Sequence, residues 1–168
     1  MKVNAAKSAI QNILDLVNGA NLGQVLTDAQ VTVGNPSVVA GTGGRNTEVT
    51  LTAIADYTGT QTYAYTRRSI ATDAVASTAP AKVDTLVDDD QAESAAKVVA
   101  ALGLVAGEFD FSAFTAPADE STDGSITLTA KATSLLYTGV RVVVLSLEDV
   151  TLATATPNTD LSGFDAEA

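Results

Sequence analysis

The sequence predicts an α+β fold made of two duplicated helix-plus-antiparallel-strand units, each ordered α-β-β-β, sharing one core. Three observations lead there. VTLTAIADYTG at 49–59 returns as ITLTAKATSLLYTG at 126–139, with Val49 and Ile126 77 positions apart but Tyr57 and Tyr137 80 apart, so the second copy carries three extra residues before its turn. Ala6-Lys7-Ser8-Ala9 is echoed by Ala92-Glu93-Ser94-Ala95. The chain is also rich in Thr and Val, residues that suit a pleated, half-buried surface. Two copies are too few for a solenoid, which leaves two units packed on a common core.

The elements follow in order. Ile10, Ile13, Leu14 and Val17 stand at helical spacing between Asn4 and Val17, and Gly19 supplies a stop. Ala29 to Val33 forms a short strand, closed by the Gly34-Asn35-Pro36 turn. After the glycines of Gly41-Thr42-Gly43-Gly44, Val49, Leu51, Ala53 and Ala55 alternate with polar residues, as in a strand with one buried face. The Tyr57-Thr58-Gly59-Thr60 turn leads to a return strand, Gln61 to Arg68, which completes an antiparallel hairpin. Residues 71 to 87 form a looser connection around Ala79-Pro80.

A second helix begins at Asp90, whose carboxylate and Glu93 three residues on make a capping box, and it ends at Gly103. Strands follow at Glu108 to Ala113, Ser125 to Thr133 and Val140 to Leu147. The expected domain is thus 1–148, with pseudo-repeats at about 1–70 and 88–148. Residues 149–168 add a C-terminal edge strand through Val150 and Leu152, then an acidic tail.

Composition excludes several kinds of chemistry. The 168 residues include no Cys and no His, which removes thiolate metal sites, cysteine nucleophiles, the commonest general base and the commonest transition-metal ligand. Nine Lys and Arg against 20 Asp and Glu give a net charge of −11, which repels phosphate backbones and anionic bilayers. Neither nucleic acid nor membrane is expected as a partner. The longest apolar runs, such as Val98 to Ala106, have about half the length of a membrane span. Asn4, Lys7, Gln11, Asn12 and Asp15 interrupt any signal-peptide core.

Each charged cluster has a structural explanation that outweighs a functional one. Asp88-Asp89-Asp90 complements the positive end of the following helix better than it builds a cation site. Asp119, Glu120 and Asp123 in PADESTDG fit a solvated loop and match no calcium-loop spacing. Arg67-Arg68, the only adjacent basic pair, points to opposite strand faces and is expected to pair with acidic neighbours. Arg45 sits in GTGGRN, which lacks the lysine of a phosphate-binding loop. No catalytic, cofactor or metal residue is assigned, and the chain is expected not to be an enzyme.

Gly44-Arg45-Asn46-Thr47-Glu48-Val49-Thr50-Leu51-Thr52-Ala53, with Tyr57-Thr58-Gly59 and Tyr63-Ala64-Tyr65-Thr66-Arg67, resembles an uncharacterised α+β domain recurrent in virion structural proteins of large tailed bacteriophages. The helix stop at Asn18 to Leu22 resembles it too, as do Leu102-Gly103-Leu104 and the Gly-Ser-Ile-Thr-Leu-Thr-Ala strand before the second Tyr-Thr-Gly. The likeness spans most of 5–148. It implies a non-enzymatic virion protein: a head decoration protein, or a neck, tail or baseplate attachment protein, contacting other virion proteins and copies of itself as a homo-oligomer or symmetric assembly. The alternatives are a receptor- or glycan-binding fibre module displaying Tyr57, Tyr63, Tyr65 and Tyr137, and a hydrolase working through carboxylates.

Overall fold

The computed structural model describes residues 1–23, 25–39, 42–71, 82–85, 89–119 and 121–147. Among the described residues the fold mixes two α-helices with largely antiparallel sheets. Helix α1 (Ala9–Ala20) buries Asn12, Ile13, Leu14 and Val17, while Ile10 is left exposed. It starts later than the apolar spacing alone suggests, because Ser8 and Gln11 form a reciprocal capping box, worth about 1 kcal/mol. The preceding residues turn instead: Lys7 N donates to Asn4 O, and Asn12 reaches back to Asn4 through both amide atoms. Gly19 lies inside the helix, and Asn21 closes it.

Strands β1 (Val31–Val33) and β2 (Ser37–Val38) lie end to end along one edge of β3 (Thr47–Ala53), whose other edge pairs with β4 (Thr60–Tyr65). All these pairings are antiparallel. Between β1 and β2 the register gains one residue at Asn35-Pro36, where Pro36 has no ladder bond to give. Val49 and Leu51 face inward from β3, while Thr50 and Thr62 join hydroxyls 2.9 Å apart on the outer face.

After β5 (Arg68–Ser69) and β6 (Lys82–Thr85) comes α2 (Gln91–Ala101), capped by Asp90 and Glu93 as the sequence predicts. Then β7 (Phe109–Thr115), β8 (Gly124–Ala130), β9 (Tyr137–Thr138) and β10 (Val140–Leu147) follow. The second sheet has the order β6-β10-β8-β7.

Two parallel pairs depart from the expected all-antiparallel pattern. β6 runs parallel to β10, within what the sequence read as loose connection, and β5 runs parallel to β9. Lys82 to Thr85 is too short to show alternation, and its strand state comes from the β10 edge it covers. The expected edge strand and tail at 149–168 lie outside the described residues.

The registers of the two sheets match pair for pair. Thr47↔Tyr65 through Thr52↔Thr60 in the β3–β4 ladder correspond to Gly124↔Leu145 through Thr129↔Val140 in the β8–β10 ladder. Val31↔Ala53 and Val33↔Leu51 correspond to Phe109↔Ala130 and Phe111↔Leu128. Each outer strand then gains one residue, so Ser37↔Glu48 corresponds to Thr115↔Ser125. In β7 the bulge holds Ala113 at φ +49. The buried apolar side chains of both sheets and both helices form one cluster, centred on Ile13, Val49, Val98, Ile126, Leu128 and Leu145.

The β7 bulge presses on Gly124, where an added Cβ would lie 2.2 Å from Thr115 O and 2.6 Å from Pro117 N. Gly124→Ala is therefore expected to cost roughly 2–3 kcal/mol by overpacking, measured as a lowered denaturant midpoint. Gly34→Ala, whose Cβ would meet only Thr50 O at 3.2 Å, is expected to cost less.

Candidate functional site

Between α1 and β4 lies a cavity of about 940 Å³. Ile13, Leu16 and Val17 form its helical wall, and Tyr63 and Tyr65 project from the inward face of β4. Arg67 borders it where the chain passes from β4 to β5. Among the described residues β4 is bonded only to β3, and its Tyr63, Ala64 and Tyr65 line the cavity.

A polar seam joins the two sheets at the cavity's inner end. Arg67 is only 8 % exposed, and its guanidinium donates from Nε to Thr47 Oγ1 (3.0 Å) and from Nη1 to Ser134 O (2.9 Å). Tyr65 Oη donates to Leu135 O at 2.8 Å. Asn46 Oδ1 accepts from Thr47 Oγ1 and from Arg67 N, fixing the start of β3 against the end of β4. From the other side, Ser134 Oγ donates to Glu108 at 2.6 Å and accepts from Tyr137 N. Arg68 N to Leu136 O and Ile70 N to Thr138 O extend the seam through the β5–β9 pair. Beyond it the Phe109 and Tyr137 rings pack 4.9 Å apart.

Burial pushes the Tyr65 hydroxyl up from 10.0 to about 12; the Arg67 charge opposes the shift and Glu108 adds to it. Asp119 lies outside this region. Hydrogen bonds from the Ser121 hydroxyl and backbone, aided by Thr122, hold its carboxyl below the usual carboxylate range. That geometry is a closed turn, with Thr122 N donating to Asp119 O.

The residues noted in the sequence do not converge. Asp90 caps α2, Asp89 pairs with Lys97 at 2.7 Å, and Asp88 and Glu120 lie outside the described residues. Arg45 is exposed, on the turn where Gly43 and Gly44 take positive φ. Arg67 departs from the expected carboxylate pairing, since its direct hydrogen-bond partners are neutral oxygens. The four tyrosines do not gather into one display: Tyr65 and Tyr137 are buried, and Tyr57 is exposed. Among the described residues no three His, Cys, Asp or Glu side chains gather to hold a metal.

Sequence reading missed Asn46, Thr47, Ser134 and Glu108. They are separated by up to 88 positions and share no motif, so only the fold unites them. The cavity offers apolar walls, the β4 residues Tyr63 to Tyr65 and a basic lining of Lys2, Arg45, Arg67 and Arg68. Such a set can hold an extended chain with a carboxylate, and it supplies no activated nucleophile.

Fold and seam thus define, among the described residues, an α+β arrangement of two four-stranded sheets joined by the β5–β9 pair and a buried polar junction. The chain belongs to a family of unknown function, DUF7941, whose pattern matches residues 2–166. No curated protein and no solved structure matches it. No helix among the described residues is long and apolar enough to cross a membrane.

The Tyr65 shift makes stability depend on pH in a defined window. A neutral phenol with a folded pKa near 12 and an ordinary unfolded value contributes stability below about pH 10, and that contribution fades as pH rises toward 12. Unfolding free energy, followed by denaturant titration, is expected to fall over that window by up to about 2–3 kcal/mol more in the native chain than in Tyr65→Phe.

Proposed function

We propose that the chain is a non-enzymatic structural protein of a tailed-bacteriophage virion. It serves as an exterior accessory, such as a head decoration protein or a neck, tail or baseplate attachment protein. The resemblance at 44–53, 57–59 and 63–67 supplies the setting. The observation that carries the reading is the pair of outer sheet faces built mainly of Thr and Val, with one described carboxylate on each, Glu48 and Asp110. On the second sheet, Val140 and Val142 stand 51 % and 61 % exposed on the same face of β10, opposite Thr129 and Thr127. On the first, Thr32, Thr50, Thr52, Thr60, Thr62 and Ala64 share a face on which Glu48 is the one charged residue of β3 and β4. Surfaces of this kind suit coverage by neighbours, and symmetry would multiply modest contacts into firm attachment. The net charge of −11 keeps free subunits apart before assembly.

Within this role the chain is two copies of one unit. The matched registers, the paired bulges and the two capping boxes support that reading together. An experimental structure is expected to superpose 9–65 on 91–145 with the strand pairs in the stated correspondence; a mismatched register would refute the duplication.

For the virion role, quantitative mass spectrometry of purified particles of the encoding phage is expected to find the chain at hundreds of copies, or at six, twelve or a small multiple. Val142→Lys, a substitution on an exposed strand face, is expected to lower incorporation while leaving the thermal midpoint nearly unchanged. Absence of the chain from purified particles would overturn the reading.

A further inference from the structure

Positive charge is spread unevenly over the molecule, and it concentrates at the cavity between α1 and β4. The chain carries nine Lys and Arg against 20 Asp and Glu. Four of the nine, Lys2, Arg45, Arg67 and Arg68, line this one cavity, and no Asp or Glu is among the described residues that line it. Away from it, Lys7 is paired with Asp15 and Lys97 with Asp89. Lys2 and Arg45, both exposed at the cavity's rim, make no ion pair among the described residues.

Arg67 supplies a second observation. Its Nε and Nη1 are taken by Thr47 Oγ1 and Ser134 O, whereas Nη2 has no hydrogen bond among the described residues. The residue is 8 % exposed and lines the cavity, so this donor is largely screened from bulk water. Glu108, the carboxylate behind the seam, is engaged by Ser134 Oγ and does not belong to the lining. A screened guanidinium N–H favours an oxygen that carries charge, because such hydrogen bonds are about twice as strong as neutral ones.

Much of the remaining lining is apolar. Ile13, Leu16 and Val17 come from α1, and Leu102, Leu135 and Leu136 come from the second half of the chain. The volume of about 940 Å³ lies at the upper end of the range of about 300–1,000 Å³ that small-molecule sites occupy. Apolar walls with a few placed polar groups are the usual character of such sites.

We propose that this cavity binds a small amphipathic carboxylate, an unbranched apolar body ending in one anionic group. The carboxylate accepts from Arg67 at the inner end, and the body lies along Ile13, Leu16 and Leu102. At the rim, Lys2 and Arg45 offset the repulsion that a chain of net charge −11 presents to an approaching anion. The inference stands on the cavity lining, and neither the virion role nor the duplication enters it.

Because Arg67 is bound into the seam, the test leaves it in place. The full chain is titrated calorimetrically with dodecanoate below its micelle concentration, beside dodecan-1-ol and dodecyltrimethylammonium as neutral and cationic probes of the same length. Dodecanoate is expected to saturate at one per chain, with the other two at least about tenfold weaker, the scale of one charge-assisted hydrogen bond. Lys2→Glu with Arg45→Glu is expected to weaken dodecanoate severalfold and leave dodecan-1-ol unchanged. Leu16→Glu, which sets a like charge in the apolar wall, is expected to abolish carboxylate binding while the far-ultraviolet circular dichroism stays native. Equal affinity for the three head groups, or several molecules taken up per chain, would refute the site in favour of surfactant adsorption. Dodecanoate affinity unaltered by the rim charges or by Leu16→Glu would move the binding to another surface and overturn the inference. So would a failure of octanoate, dodecanoate and hexadecanoate alike. Binding of a short peptide through its terminal carboxylate, with none of these fatty acids bound, would reassign the cavity to a protein partner.

Discussion

The arrangement depends on one buried cation. Arg67 places its guanidinium between Thr47 of the first sheet and the Ser134 carbonyl beside the second, and the surrounding bonds radiate from that placement. Removing a charge from water is costly unless its donors are met by well-placed acceptors. Here the acceptors are a hydroxyl and a peptide carbonyl, both fixed by other contacts: Thr47 by Asn46, and the Ser134 region by Glu108. The geometry of each half is thereby specified by the other.

Around that junction apolar packing is continuous. Val49 and Leu51 from the first sheet, and Ile126, Leu128 and Leu145 from the second, belong to one buried cluster with faces of α1 and α2. At roughly 25 cal/mol for each Å² of apolar surface buried, this cluster provides most of the stabilisation. The seam adds specificity, because a displacement of one sheet along the other would strand the donors of Arg67 and Tyr65 without acceptors. Burial of the Tyr65 hydroxyl follows from the same arrangement.

Much of the fold was legible in the sequence, because its elements announce themselves locally. Asp90 and Glu93 marked α2, alternation at Val49, Leu51 and Ala53 marked β3, and β10 spans the predicted Val140 to Leu147. What failed was whatever depends on partners distant in the chain. Lys82 to Thr85 becomes a strand because β10 offers it an edge, and β5 and β9 are two-residue strands created by their own meeting. Ile10 fits the helical period yet faces outward, since the face of α1 is set by what covers it. The candidate site was less legible still. Arg67 was visible as part of a basic pair, but its burial and its neutral partners follow from a contact with Ser134, 67 positions away.

The long separation across the seam has a consequence for synthesis on the ribosome. Tyr65 and Arg67 leave the exit tunnel well before Leu135 and Ser134 have been joined to the chain, at a pace of about 5–20 residues per second. During that interval the first sheet can form its local hairpin but has nowhere to bury its guanidinium. The nascent first half must therefore keep this end solvated and its core incomplete, so that final consolidation waits for the second half to emerge.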